Sequence, residues 1–96
     1  MKSKSESRVL VVANSLGMHA RPCAMFVKVA RRFDIVIHVE KDGNRVAVND
    51  GVSNIMGLMA LELECGAEIR ISADGPNAKE ALDDIERLVN GGFGEE

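Results

Sequence analysis

The chain has 96 residues, 46% of them hydrophobic, enough for one small domain with a single core and too few for two. Fifteen acidic residues against twelve basic ones leave a net charge of −3, and the only aromatic residues are three Phe, so the basic surface and stacking platforms of a general nucleic-acid binder are missing. No run of about twenty apolar residues offers direct membrane insertion, and two cysteines without a ligand cluster fit reduced cytoplasmic thiols and make no metal site.

Residues 1–7 are charged and polar, without the apolar segment of a signal peptide, and read as a flexible tail of a cytoplasmic protein. The Val/Leu run at 8–13 predicts a strand buried on at least one face. A loop follows at 14–19. From Ala20 to about Phe33 the apolar positions Cys23, Phe26, Val27, Ala30 and Phe33 recur at helical spacing, with Arg21, Lys28, Arg31 and Arg32 on the other side and in the last turn. Alternation over 35–40 predicts a second strand; Asp42-Gly43 signals a hairpin turn, Val46 and Val48 continue as a third strand, and Asn49-Asp50-Gly51 closes it.

Residues 53–61 read as a short helix capped by Ser53 or Asn54, with Ile55, Leu58 and Met59 on one arc and Met56 and Ala60 on another. So much apolar surface means either burial on most sides or an exposed contact patch. A fourth strand is predicted over 67–73. The last helix carries Ala78, Ala81, Leu82, Ile85, Leu88 and Val89 as its stripe, with Asn77 and Glu80 placed for a capping box and Gly91-Gly92 as its end. The order βαββαβα with alternating strands predicts an α+β open-faced sandwich, a four-stranded antiparallel sheet with three helices on one face. Within it, residues 8–90 form the domain and 91–96 a second flexible tail on which Phe93 has a route to dock.

The loop that becomes the first helix, Asn14-Ser15-Leu16-Gly17-Met18-His19-Ala20-Arg21-Pro22, is the centre of the chemistry. A helix cannot satisfy its first N–H groups internally, and its dipole adds positive charge there, so this end suits phosphate. His19 stands at the mouth, Arg21 adds a fixed positive charge, Gly17 permits a sharp turn and Pro22 fits the first helical turn. A neutral imidazole is a competent nucleophile near pH 7, so a phosphorylatable histidine and a plain polar helix cap are the two readings of His19.

The string Gly17-Met18-His19-Ala20-Arg21-Pro22 resembles the active-site signature of the HPr family, the histidine phosphocarriers of the bacterial phosphotransferase system. Phe26, the Ile-Met-Gly-Leu-Met run at 55–59 and the strand at 66–73 follow in the family's order, and the resemblance spans about 8–89. It implies the same open-faced sandwich and a carrier, not an enzyme, that needs neither cofactor nor metal. Phosphorylated Enzyme I, charged from phosphoenolpyruvate, would place a phosphoryl group on Nδ1 of His19, and a histidine of an EIIA protein or domain would receive it. Arg21 and the backbone N–H groups of Ala20 and Arg21 would hold the phosphate. Met56 and Met59, with Lys28 and Arg31, would meet these partners, and the carrier itself would act as a monomer in sugar transport. A nitrogen-type regulatory carrier and, in a different class, a small acyl-phosphatase-like enzyme are the alternatives.

One departure concerns regulation. Many relatives place a serine immediately before the Ile-Met-Gly run, the target of HPr kinase/phosphorylase, whereas here Asn54 stands there and Ser53 lies one residue earlier. Ser53 is then either a phosphorylation position at a helix start or an ordinary cap. Cys23 reads as a packing residue in preference to a nucleophile, and His38 as a solvent-facing strand residue in preference to a second base.

Overall fold

The structure, a computed structural model, describes residues 5–48 and 52–95, the side chains of Val52 and Ser53 excepted. Four strands, β1 (Ser5–Val11), β2 (Val36–Lys41), β3 (Asn44–Ala47) and β4 (Glu68–Asp74), form one antiparallel sheet in the order β1-β4-β2-β3. Three helices, α1 (Ala20–Ala30), α2 (Val52–Ala60) and α3 (Ala78–Asn90), complete the order βαββαβα, and a 3-10 turn, Gly92–Gly94, follows. This is the α+β open-faced sandwich that the patterning predicts.

Burial shows why the sheet is covered on one face. Leu10 pairs with Ile69, Val39 with Ile71 and Ile37 with Ala73, and all six are buried, while Val9, Val11 and Val36 on the other face are half exposed. Side chains alternate along a strand, so a register slip of one residue would expose all six, and the apolar pattern thereby sets the register. Phe26, Val27 and Ala30 of α1, Leu58 of α2, and Ala81, Leu82, Ile85 and Val89 of α3 close the core from the helix side. At the β2–β3 hairpin Asp42 and Gly43 both adopt positive φ, 52° and 85°, as the tight turn requires.

Several boundaries differ from the sequence expectation. Helix α1 stops at Ala30, because Arg32 and Phe33 donate to Val29 and Ala30 and tighten the chain into turns. Ser5, Glu6 and Ser7 belong to β1, pairing with Asp74, Ala73 and Ser72, so these three residues are strand and not flexible tail. Asn77 precedes α3 but makes no side-chain cap hydrogen bond, so the capping box with Glu80 is not formed; with φ −110° and ψ 25° its backbone is outside the extended conformation of a capping residue. Asn54 lies inside α2 and donates its side-chain amide to the Ala47 carbonyl. The turn at 49–51 lies outside the described residues.

The largest difference is at the C-terminus. Residues 91–95, expected as a flexible tail, are built into the body, because Phe93 is buried at 1% exposure. Gly92 (φ 64°), Phe93 (φ 57°) and Gly94 (φ 73°) turn the chain back through the left-handed region. For a phenylalanine that conformation carries strain, and burial of its ring offsets it.

Candidate functional site

The loop between β1 and α1 is held from below. Gly17 donates to the Asn14 carbonyl at 3.0 Å, Met18 donates to the Leu63 carbonyl at 2.7 Å, and the Asn14 side-chain amide donates to the Gly17 carbonyl at 2.5 Å. Gly17 has φ +72°, and a Cβ there would lie 2.8 Å from the Leu63 oxygen, so both conformation and space require glycine. With Met18 and Asn14 buried, the loop delivers the next residue, His19, to the surface at the start of α1.

His19 is the N-cap residue of α1, with extended backbone (φ −80°, ψ −169°), and its carbonyl accepts the first helical hydrogen bond, from Cys23 at 3.1 Å. Its ring does not cap the helix. Pro22 has no N–H, so the open donors of the first turn are those of Ala20 and Arg21, and neither meets an acceptor among the described residues. The Arg21 guanidinium is well exposed beside them. A half-exposed imidazole, two outward backbone donors and one guanidinium therefore converge on the space at the helix mouth.

The sequence reading misses Glu95. Its carboxylate is 9% exposed and reaches three site residues: Oε2 lies 2.9 Å from His19 Nε2 and 3.8 Å from an Arg21 guanidinium nitrogen, and Oε1 accepts from Asn14 at 3.0 Å. Nothing in a polar C-terminal segment signals this; only the apolar Phe93 two residues earlier hints that the segment docks. Leu16 is 77% exposed in the loop between β1 and α1.

Comparison with known proteins decides the family. The model of the "PTS HPr component phosphorylation site" matches residues 6–91. The phosphocarrier protein HPr of Treponema pallidum is 42% identical over 85 residues, covering 88% of this chain and 92% of its own. The chain belongs to the HPr family of phosphocarriers. The crystal structure of HPr-C-His from Thermoanaerobacter tengcongensis superposes with a TM-score of 0.86 at 36% identity, over 95% of this chain and 98% of that one. A multiphosphoryl transfer protein of Vibrio cholerae is 33% identical over 94 residues, 97% of this chain but only 23% of its own length.

Around the HPr motif the other candidate residues fall in different places. Lys28 and Arg31 are exposed on and just past α1, and Met56 and Met59 are 69% and 43% exposed on α2, which packs beside α1. The short helix is thus not buried on all sides, and both methionines stand on its exposed part. The side chain of Ser53 lies outside the described residues. Cys23 is fully buried, donates to the Met18 carbonyl at 3.3 Å, and has its thiol pushed up to about 11 by burial, which leaves no thiolate for nucleophilic attack near neutrality. His38 is half-buried on the uncovered face of the sheet, where Arg45 approaches its Nδ1 at 3.3 Å; burial and then the Arg45 charge lower its pKa. It takes no part in the helix-mouth cluster. Among the described residues no group of three His, Cys, Asp or Glu side chains is arranged to hold a metal, and no helix is long and apolar enough to cross a membrane.

Proposed function

We propose that this HPr-family chain accepts a phosphoryl group on Nδ1 of His19 from phosphorylated Enzyme I and passes it to a histidine of an EIIA protein or domain, in sugar transport. The observation that carries this reading is the position of His19 itself, an extended N-cap histidine whose ring is 43% exposed and left uncommitted to capping. In the forward step the Nδ1 lone pair forms the new N–P bond while the P–N bond of the donor phosphohistidine breaks, its electron pair returning to that ring. Three phosphoryl oxygens then face the Ala20 and Arg21 N–H groups, the positive end of the α1 dipole and the Arg21 guanidinium. Stabilisation is moderate because the site is open, and a carrier needs that moderation to give the group away again.

Both transfers need the histidine of a second protein brought within bonding distance. The exposed Met56 and Met59 give an adaptable apolar contact, and Lys28 and Arg31 a basic border, which suits one surface meeting several acidic partners. Regulation at Ser53 by HPr kinase/phosphorylase belongs to the same reading, since a phosphate at the start of α2 would add charge close to that contact surface.

Incubation with Enzyme I and phosphoenolpyruvate tests the reading by intact mass. One acid-labile phosphoryl group on the native chain and none on His19→Ala is the expected result. A native chain that takes up none from an Enzyme I of the same cell overturns it.

A further inference from the structure

We infer that Leu16 is a specificity-determining contact for the phosphoryl exchange: its side chain seats in an apolar socket beside the phosphohistidine of the partner protein. The inference rests on the carrier reading above. A single exposed leucine is ordinary on a protein surface and says nothing by itself. Two observations set this one apart, its short tether to His19 and the rigidity of the turn that presents it.

Leu16 stands three positions before His19, so their Cα atoms lie at most about 11 Å apart even for a fully extended loop. The two are also tied through space, because the Asn14 amide donates both to the Gly17 carbonyl next to Leu16 and to the Glu95 carboxylate that meets the His19 ring. A partner that exchanges a phosphoryl group must bring its own histidine close enough for the attacking nitrogen to lie about 3–3.5 Å from phosphorus. Even a small transient interface covers about 600 Å² on each side, a disc of roughly 14 Å radius. With His19 near the centre of that disc, Leu16 falls inside it, and every partner that reaches the histidine also reaches the leucine.

The turn is rigid. The Gly17 N–H donates to the Asn14 carbonyl at 3.0 Å, which makes residues 14–17 a hydrogen-bonded turn with Ser15 and Leu16 at its centre. The Asn14 side chain ties the same two ends at 2.5 Å, and Met18 anchors the exit to the Leu63 carbonyl at 2.7 Å. The backbone at Leu16 is thus fixed before a partner arrives. Its side chain is 77% exposed, more than any other large apolar side chain among the described residues. A contact presented in this way is preorganised, and little conformational entropy is lost when it is covered.

The chemistry of the side chain says what the contact does. A leucine has neither donor nor acceptor, so it takes no part in holding the phosphoryl oxygens and acts only through apolar contact and the water it displaces. A partner with an apolar hollow next to its histidine gains the burial of one leucine. A partner with a charged or hydrogen-bonding group at that place would bury the group without a mate, and is disfavoured. The flexible Met56 and Met59 adapt to many surfaces, whereas Leu16 on its fixed turn fits few. Because the contact is equally present before and during transfer, it governs formation of the complex and leaves the transfer step alone.

Steady-state phosphorylation of the full chain by phosphoenolpyruvate and an Enzyme I of the same cell tests this, with Leu16→Ala, Leu16→Asn and Leu16→Met. Leu16→Ala should raise the KM for Enzyme I about five- to tenfold at unchanged kcat, in keeping with the loss of one buried apolar side chain. Leu16→Asn, similar in size but polar, should raise it at least as much, and Leu16→Met, which keeps the apolar volume, should stay within about twofold of the native chain. All three should unfold at the native urea midpoint, since the side chain is exposed. A KM within about twofold of native for both Leu16→Ala and Leu16→Asn, a fall in kcat alone, a Leu16→Met chain as impaired as Leu16→Asn, or a lowered midpoint accompanying the defect each overturns the inference while the carrier reading stands. A native chain that takes up no phosphoryl group overturns the carrier reading, and this inference with it.

Discussion

The Nε2 atom of His19 and the Oε2 atom of Glu95 lie 2.9 Å apart across 76 positions of the chain. Two local conformations create that meeting: the extended backbone of His19 at the start of α1, and the left-handed turn at Phe93 that folds the C-terminal segment over it.

Phe93 is the anchor of that turn, and Phe93→Ala should lower stability by roughly 2–3 kcal/mol. An interior Phe→Ala change costs about 3–5 kcal/mol, but here the last turn can detach instead of preserving a void. Denaturant unfolding measures the loss, and hydrogen exchange should show weakened protection confined at first to the residues around Gly92–Gly94.

Gly17→Ala should destabilise by about 1–3 kcal/mol, the cost of a strained left-handed residue, with the contact to the Leu63 oxygen adding to it. Urea unfolding gives the magnitude. A stability equal to that of the native chain would mean that the loop relaxes away from the geometry described.

The two thiols should differ sharply. At about pH 8 a thiol reagent should label Cys65, which is exposed, and leave Cys23 until the chain unfolds. Burial holds the Cys23 thiol at about 11 in the folded state against an ordinary 9.0. Its contribution to stability is full below the unfolded value and is lost as pH rises from there through about 11, because the unfolded chain gives up its proton first. Cys23→Ala should flatten that alkaline decline in unfolding midpoint.

Arg8 joins β1 to α3 through Asp83 at 2.6 Å and Glu86 at 2.9 Å. Its guanidinium, followed by Lys79, holds the Asp83 carboxyl below the usual carboxylate range. The folded value is lowered, so the stabilisation is complete above the unfolded value near 3.9 and disappears as pH falls through the lowered one. Arg8→Gln should move the Asp83 titration upward in carbon-13 spectra, and the native and variant unfolding midpoints should converge in acid.

Met56→Glu tests the contact surface. At 69% exposure the side chain contributes little to the core, so stability should change by less than about 0.5 kcal/mol, while the KM for Enzyme I rises several-fold. A changed fold stability with unchanged KM would return Met56 to a packing role.

Much of this molecule is legible in its sequence, because the relevant signals are local. Alternation in β2 and β4, the apolar stripe of α3 and the Asp42-Gly43 turn each depend on near neighbours, and these place the sandwich. The candidate phosphate site is legible for the same reason: His19, Ala20, Arg21 and Pro22 are adjacent, and a helix start turns adjacency into convergence. The exposure of Met56 and Met59 is not readable this way, since an apolar nine-residue helix shows its buried side only once α1 and β3 are packed against it. Glu95 lies further still beyond pattern reading. Its approach to Asn14 and His19 depends on where the whole sheet sets β1, on a strained turn at Phe93 and on the pocket that buries that ring, all of them relationships between residues distant in the chain. Sequence by itself determines the elements, the family motif and the candidate nucleophile; tertiary packing alone decides which carboxylate faces that nucleophile, because contact across the chain is a property of the assembled core.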